Sequence, residues 1–209
     1  MQDNPPGLRT FRHLTGLLSA GEQAELLAGL RVVIAEAPLF RPRMPRTGKA
    51  FSVAMSNCGS LGWVSDQSGG YRYQAHHPVT GRPWPAIPVM LLELWRRHAN
   101  YPVLPEACLV NYYAAGAKMG SHVDRDELDR GAPVLSVSLG DDAVFHVGGT
   151  ARGGQKVRVV LKSGDLIVLE GDSRFAYHGI DKVMAGSSSL LAEGGRINLT
   201  LRRVNQSVQ

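Results

Sequence analysis

Residues Arg196 to Arg203 alternate without a break. Arg196, Asn198, Thr200 and Arg202 fall on one side of an extended chain, and Ile197, Leu199 and Leu201 fall on the other. A period of two over this length specifies a strand with one face in an apolar core. The polar face then has two possible settings. On the outside of the molecule it is an ordinary solvated face. Inside a sandwich it buries two guanidiniums, which is tolerable only with anionic partners. A diacid ligand is one such partner, because arginine grips a carboxylate through two parallel hydrogen bonds.

Other segments fix the company this strand keeps. Cys108–Tyr113, Val134–Leu139, Ala143–Val147, Lys156–Leu161 and Leu166–Glu170 are short, rich in β-formers and separated by Gly or Asp turns. The first half is different. Ser19 followed by Glu22 forms a capping box, and Leu26, Leu27, Leu30, Val33 and Ile34 recur at helical spacing up to Pro38. A second helix is expected from Pro88 through Leu91, Leu92 and Trp95 toward His98. Phe51–Met55 reads as a short strand, and residues 57–81 as a Gly-, Ser- and aromatic-rich stretch. The expectation is one α+β domain over residues 1–209. An N-terminal helical and loop layer, about residues 1–100, would pack on a sandwich or jelly roll at about 105–205.

Composition narrows the function classes. The chain has 209 residues, 44% hydrophobic and 20% charged, so it can build a core without staples. Two cysteines, Cys58 and Cys108, exclude a disulfide scaffold and a four-cysteine zinc site. No apolar run approaches the ~20 residues of a membrane span. The opening MQDNPPGLRT lacks the apolar core of a secretory signal, so a cytoplasmic location is expected. The net charge of +5 is uneven. Residues 1–100 carry 11 basic against 6 acidic side chains, and residues 101–209 carry 12 against 12. Arg41, Arg43, Arg46 and Lys49 form the densest basic stretch. It is either a solvated face or a contact for phosphates.

His122-Val123-Asp124 places an imidazole and a carboxylate on one side of an extended segment. His178, in Tyr177-His178-Gly179, follows 54 residues after Asp124. Two histidines and a carboxylate on a β-sandwich match the facial triad of non-haem Fe(II) oxygenases, which leaves three metal positions open. The alternative is two ordinary hydrogen-bonded histidines. Asn111 and Tyr113 share one face of their strand, where an amide and a phenol can donate to a carboxylate; sheet packing is the plainer explanation.

The set Asn111-x-Tyr113, His122-x-Asp124, His178 and Arg196-x-Asn198-x-x-x-Arg202 resembles the AlkB family of Fe(II)/2-oxoglutarate-dependent nucleic-acid dealkylases, of the bacterial type. The likeness extends to Met55-Ser56-Asn57-Cys58-Gly59, Leu61-Gly62-Trp63, Pro83-Trp84-Pro85-Ala86 and Asp124-Arg125-Asp126-Glu127, and covers roughly Phe51 to Arg203. Leu169 and Ala176 stand where bulky aromatics are usual in that family. The resemblance implies a double-stranded β-helix (jelly roll) core with N-terminal helices and a nucleotide-recognition lid over residues 47–63. It implies that His122, Asp124 and His178 bind Fe(II) and that 2-oxoglutarate and O2 are co-substrates. Arg202 would hold the distal carboxylate of 2-oxoglutarate, helped by Asn111 and Tyr113. Arg196 and Asn198 would hold the metal-proximal end, with Arg196 orienting Asp124. Trp63 would stack on a flipped base, Asp126 would meet its edge, and Tyr71 and Arg152 would touch phosphates; Met55 belongs to the same substrate-binding set.

The implied activity is oxidative demethylation of N-alkylated bases, of the N1-methyladenine and N3-methylcytosine type, in single-stranded DNA or RNA. The protein would act as a monomer, without a membrane. Two other readings stay open: a dioxygenase that hydroxylates a protein or small molecule, and a non-enzymatic jelly-roll binding module.

Overall fold

The computed structural model describes residues 11–206; the opening segment read for a secretory signal lies outside the described residues. Strand β1 spans Phe11–Leu14 and helix α1 Ala20–Glu36. Then come β2 (Ala54–Gly59), β3 (Gly62–Asp66), β4 (Gly70–Gln74) and helix α2 (Val89–His98). The second half holds β5 (Ala107–Tyr113), β6 (Met119–His122), β7 (Val134–Gly140), β8 (Ala143–Val147), β9 (Val157–Leu161), β10 (Leu166–Leu169), β11 (His178–Val183) and β12 (Arg196–Arg202).

The strands form an antiparallel six-stranded sheet in the order β1-β10-β7-β12-β5-β2, a four-stranded sheet β6-β11-β8-β9 and the hairpin β3-β4. This mostly-sheet architecture is consistent with the expected jelly roll. Its two hydrophobic clusters lie on opposite faces of the large sheet. On one face Cys108, Val110, Leu135, Val137, Leu166, Val168, Ile197, Leu199 and Leu201 meet Leu26, Leu27, Leu30 and Val33 of α1 and Leu91, Leu94 and Trp95 of α2. The other face contributes Met55, Tyr113, Val134, Ile167 and Leu169, which meet Phe145, Val147 and Ile180 of the four-stranded sheet. The alternation along β12 therefore divides helix-facing leucines from a polar row between the sheets. The inner setting for Arg196 and Arg202 is the one the chain adopts.

Local rules account for most boundaries. Ser19 caps α1 through the expected box with Glu22, and α2 begins after Pro88. The short strand expected at Phe51–Met55 forms later, at Ala54–Gly59, because its partner is β5, with Met55 opposite Asn111 and Cys58 opposite Cys108. Within residues 57–81 the chain makes the β3–β4 hairpin. Asp66 closes its turn by accepting from the Ser68 and Gly69 amides and pairing with Arg72 at 2.8 Å. The other side of the hairpin packs through Val64 on Trp84. Gly62 is required there, since a Cβ would lie 2.4 Å from the Trp84 ring.

Candidate active site

β6 ends at His122, and His178 opens β11 directly opposite it in the ladder. Asp124 follows on the segment leaving β6. The ligand atoms of these three side chains lie within 4.8 Å of one another. His122 Nε2 is 3.7 Å from Asp124 Oδ1, and His178 Nε2 is 3.7 Å from Asp124 Oδ2. Each imidazole gives its other nitrogen to a backbone carbonyl: His122 Nδ1 to Gly120 O and His178 Nδ1 to Ala176 O, both at 2.9 Å. A carbonyl can only accept, so Nδ1 carries a proton in each ring and Nε2 is the nitrogen turned toward Asp124.

The electrostatics match. Burial and the neighbouring His122 push His178 down to about 4, so it is neutral near pH 7. Burial alone would raise the Asp124 carboxyl, but Arg202 and the two histidines hold it below the usual range. A neutral His178 imidazole and an ionised Asp124 carboxylate are the protonation states that metal ligation requires of them.

The inner face of the large sheet supplies the rest. Met55, Asn111, Asn198 and Ser138 lie in one row across β2, β5, β12 and β7. Asn111 donates to Asn198 at 3.4 Å, and Asn198 donates to Ser136 at 2.6 Å. Tyr113 lies opposite Arg196, and burial pushes its phenol up to about 12. Arg196 is fully buried, and burial brings its guanidinium down to about 10. It donates to Ser138 Oγ at 2.6 Å and to the Asp141 carbonyl at 3.4 Å, and it makes no ion pair among the described residues. Arg202, at the other end of β12, pairs with Asp124 and with Glu127, both at 2.9 Å.

The arginine that meets Asp124 is not the one expected. The contact to Asp124 comes from Arg202, and Arg196 sits at the far end beside Tyr113. The reason is the direction of β12. Its C-terminal end is tied to the segment after the metal triad, where the Leu128 and Asp129 amides donate to Val204 O. Residue spacing within one strand gives no such direction.

Three further residues shape the site although the sequence assigns them no role, two of them, Asn57 and Glu127, lying within the quoted motifs. Glu127, almost fully buried, accepts from Tyr73 and from Arg202 and pairs with Arg174 at 3.1 Å. Arg174 also donates to the Asp124 carbonyl at 3.0 Å. Asn57 brackets the Trp63 backbone, accepting from its N–H and donating to its C=O, both at 3.0 Å. Each contact joins residues distant in sequence or buried only after folding, so no local period marks it.

Trp63 and Tyr71 stack at 5.6 Å with 20° between their planes, and the Trp63 indole donates to Asp126 at 2.7 Å. These three expected substrate residues are thus together. Met55 is buried beneath, in the row with Asn111. Arg152 is exposed on the turn before β9.

Four buried side-chain polar atoms lack a hydrogen-bond partner among the described residues: Asn111 Oδ1, Asp124 Oδ2, Arg196 Nε and Arg202 Nε. All four belong to this one site. An unpaired carboxylate oxygen beside two imidazole lone pairs fits a divalent cation, and two unpaired guanidinium N–H groups fit a carboxylate-bearing ligand. The donor set, two nitrogens and one oxygen, is the one expected for non-haem Fe(II).

Comparison with known proteins agrees. Residues 10–202 match the model of the 2OG-Fe(II) oxygenase superfamily. The chain is 50% identical over 188 residues to an alpha-ketoglutarate-dependent dioxygenase AlkB homolog of Caulobacter vibrioides, covering 90% of this chain and 84% of the relative. It is 42% identical to the alpha-ketoglutarate-dependent dioxygenase AlkB of Escherichia coli, covering 90% and 87%. The solved structure of OsALKBH1 superposes with a TM-score of 0.75 at 29% identity, covering 97% of this chain and all of that one. The chain is a member of the 2OG-Fe(II) oxygenase superfamily and, within it, of the AlkB family of dioxygenases.

Proposed function

We propose that this protein reverses alkylation damage by oxidative demethylation of N-alkylated bases, of the N1-methyladenine or N3-methylcytosine type, in single-stranded DNA or RNA. It would do so as a cytoplasmic, single-domain monomer; no helix among the described residues is long and apolar enough to cross a membrane. The observation that carries the reading is the gathering of all four orphaned buried side-chain polar atoms of the described residues, on Asn111, Asp124, Arg196 and Arg202, in the site where His122, Asp124 and His178 meet.

When bound, Fe(II) with 2-oxoglutarate and O2 supplies the oxidation of an N-alkyl carbon. His122, Asp124 and His178 would hold the iron. Arg202 keeps Asp124 ionised and fixes its carboxylate, and its free Nε–H serves the metal-proximal end of 2-oxoglutarate. Arg196 makes no ion pair among the described residues, so the distal carboxylate would belong with it, with Tyr113 alongside and Asn111 and Asn198 between the two ends. This reverses the two arginine roles expected from the resemblance, in line with the observed Arg202–Asp124 contact. Leu169 and Ala176 pack into the same inner core and leave it less bulky than aromatics would.

A base inside a duplex cannot reach this interior, so the target is flipped or single-stranded. The nucleotide-recognition lid, expected over residues 47–63, would extend through the β3–β4 hairpin. Trp63 would stack on the base, and Tyr71 would release Trp63 and turn to a phosphate, with exposed Arg152 also reaching the backbone. Asp126 would exchange its indole partner for the base edge. An aromatic face and a carboxylate together favour a methylated base that carries positive charge. Arg41, Arg43, Arg46 and Lys49 lead into the lid and suit the strand's phosphates.

The test is incubation with Fe(II), ascorbate, 2-oxoglutarate and a single-stranded oligonucleotide carrying one such lesion. Formaldehyde and unmodified base are expected in equal amounts, with both iron and 2-oxoglutarate required. Succinate formation indifferent to the oligonucleotide would refute the nucleic-acid substrate.

A further inference from the structure

On the outer face of the four-stranded sheet, away from the metal triad, four polar side chains form a continuous chain. His146 lies between Phe145 and Val147, which point inward, so its ring points outward. Yet it is only 2% exposed. Its Nδ1 is 2.8 Å from Asp181 Oδ1, and its Nε2 is 3.1 Å from Ser121 Oγ. Arg158 donates to the other Asp181 oxygen at 2.9 Å. The chain thus runs from β9 through β11 and β8 to β6.

The reach from His146 to Ser121 is the unusual part. In the sheet order β6-β11-β8-β9 these two residues are not on neighbouring strands. The ring must cross β11, and it crosses at Gly179. A Cβ on Gly179 would lie 3.0 Å from His146 Cε1 and 2.5 Å from Met119 O. The glycine leaves the passage open, and the residues on either side of the strut are the ones that matter most: Ser121 precedes His122, and Gly179 follows His178.

β6 has need of such a tie. It is a four-residue edge strand, its register with β11 shifts between His178 and Ile180, and only His122 and Met119 have ladder partners there. A short edge strand with a broken register frays easily, and this one carries a metal ligand on its last residue.

We propose that His146, oriented by Asp181, is a positioning residue that pins Ser121 and thereby sets the distance between His122 and His178 for metal binding. The proposal rests on the reading of His122, Asp124 and His178 as the metal site. The Ser–His–Asp distances would also suit an acyl-transfer triad, but Ser121 is part-buried within a paired strand beside the metal ligand, where a tether has a use and a nucleophile has no approach.

The test uses Co(II) added to metal-free protein in the absence of O2, read by its visible absorption and by calorimetry. Wild type should bind one equivalent. Ser121→Ala, which removes a single oxygen, and His146→Phe, which keeps the ring volume, should each weaken Co(II) binding by roughly 10-fold or more and change the visible band. His146→Gln, whose amide can reach both partners, should recover much of the affinity. A merely structural role would lower thermal stability without changing the Co(II) band. Unchanged affinity and band in both Ser121→Ala and His146→Phe overturn the proposal, as does labelling of Ser121 by a fluorophosphonate. Failure of wild type to bind Co(II) overturns the metal-site reading itself.

Discussion

One face of the six-stranded sheet meets α1 and α2 through Ile197, Leu199 and Leu201, all but sealed from water and all apolar. The opposite face of the same strand presents Arg196, Asn198, Thr200 and Arg202 to the four-stranded sheet. The two faces of this strand do opposite things to stability. The helix side gains hydrophobic and packing energy from each leucine. Among the described residues, the inner side holds a guanidinium that makes no ion pair and four orphaned side-chain polar atoms. A protein keeps such a polar row because ligands complete it, so along β12 the apolar face adds to stability and the polar face serves the site, within an inner layer that has an apolar core of its own.

Substitutions on the two faces should therefore separate. The largest effect is expected from His122→Ala, which removes a proposed metal ligand. Iron-dependent turnover should vanish in a formaldehyde assay while circular dichroism remains that of wild type; retained turnover would remove His122 from the metal site. Next comes Arg196→Met. Truncating one partner of a buried charged hydrogen bond costs about 2–5 kcal/mol in binding, so calorimetry should find 2-oxoglutarate affinity lower by at least ~30-fold. The ligand-free protein should melt no earlier than wild type, since the substitution relieves an unpaired buried charge. Leu199→Ala is the mirror case. It should destabilise the fold by about 2–5 kcal/mol in urea titrations and leave turnover per folded molecule close to wild type. A loss of 2-oxoglutarate affinity in Leu199→Ala, or of stability in Arg196→Met, would break the separation of faces. The smallest effect belongs to the lid. Trp63→Ala should weaken binding of a methylated single strand by about 1–3 kcal/mol, seen by fluorescence anisotropy, with metal binding unaltered.

The same contrast explains what could be read in advance. Helix caps and strand periods are local, and Ser19 with Glu22, the alternation of Arg196–Arg202 and most second-half strands are visible in the chain itself. So is the metal triad, because His122 and Asp124 share a short motif and His178 falls in a second one. The hairpin β3–β4 has no such period; its strands are carried by Trp63, Tyr71 and Tyr73 packing across the turn that Asp66 closes. Glu127 and Arg174 stand 47 residues apart, and their pairing exists only after the sheets close. The order of the two arginines along the site depends on which end of β12 meets the Asp124 segment, a property of topology rather than of spacing. The resemblance pointed to both arginines, and the observed Arg202–Asp124 contact is what motivates the proposed exchange of their ends.

The most direct measurement is calorimetric titration of 2-oxoglutarate into Mn(II)-loaded protein without O2, for wild type and Arg196→Met. A single site in wild type, weakened when the metal is removed and lower in affinity by at least ~30-fold in Arg196→Met, is the expected result. Metal binding with no affinity for 2-oxoglutarate, or equal affinity in the two proteins, would contradict the assignment of this interior as a paired metal and diacid site.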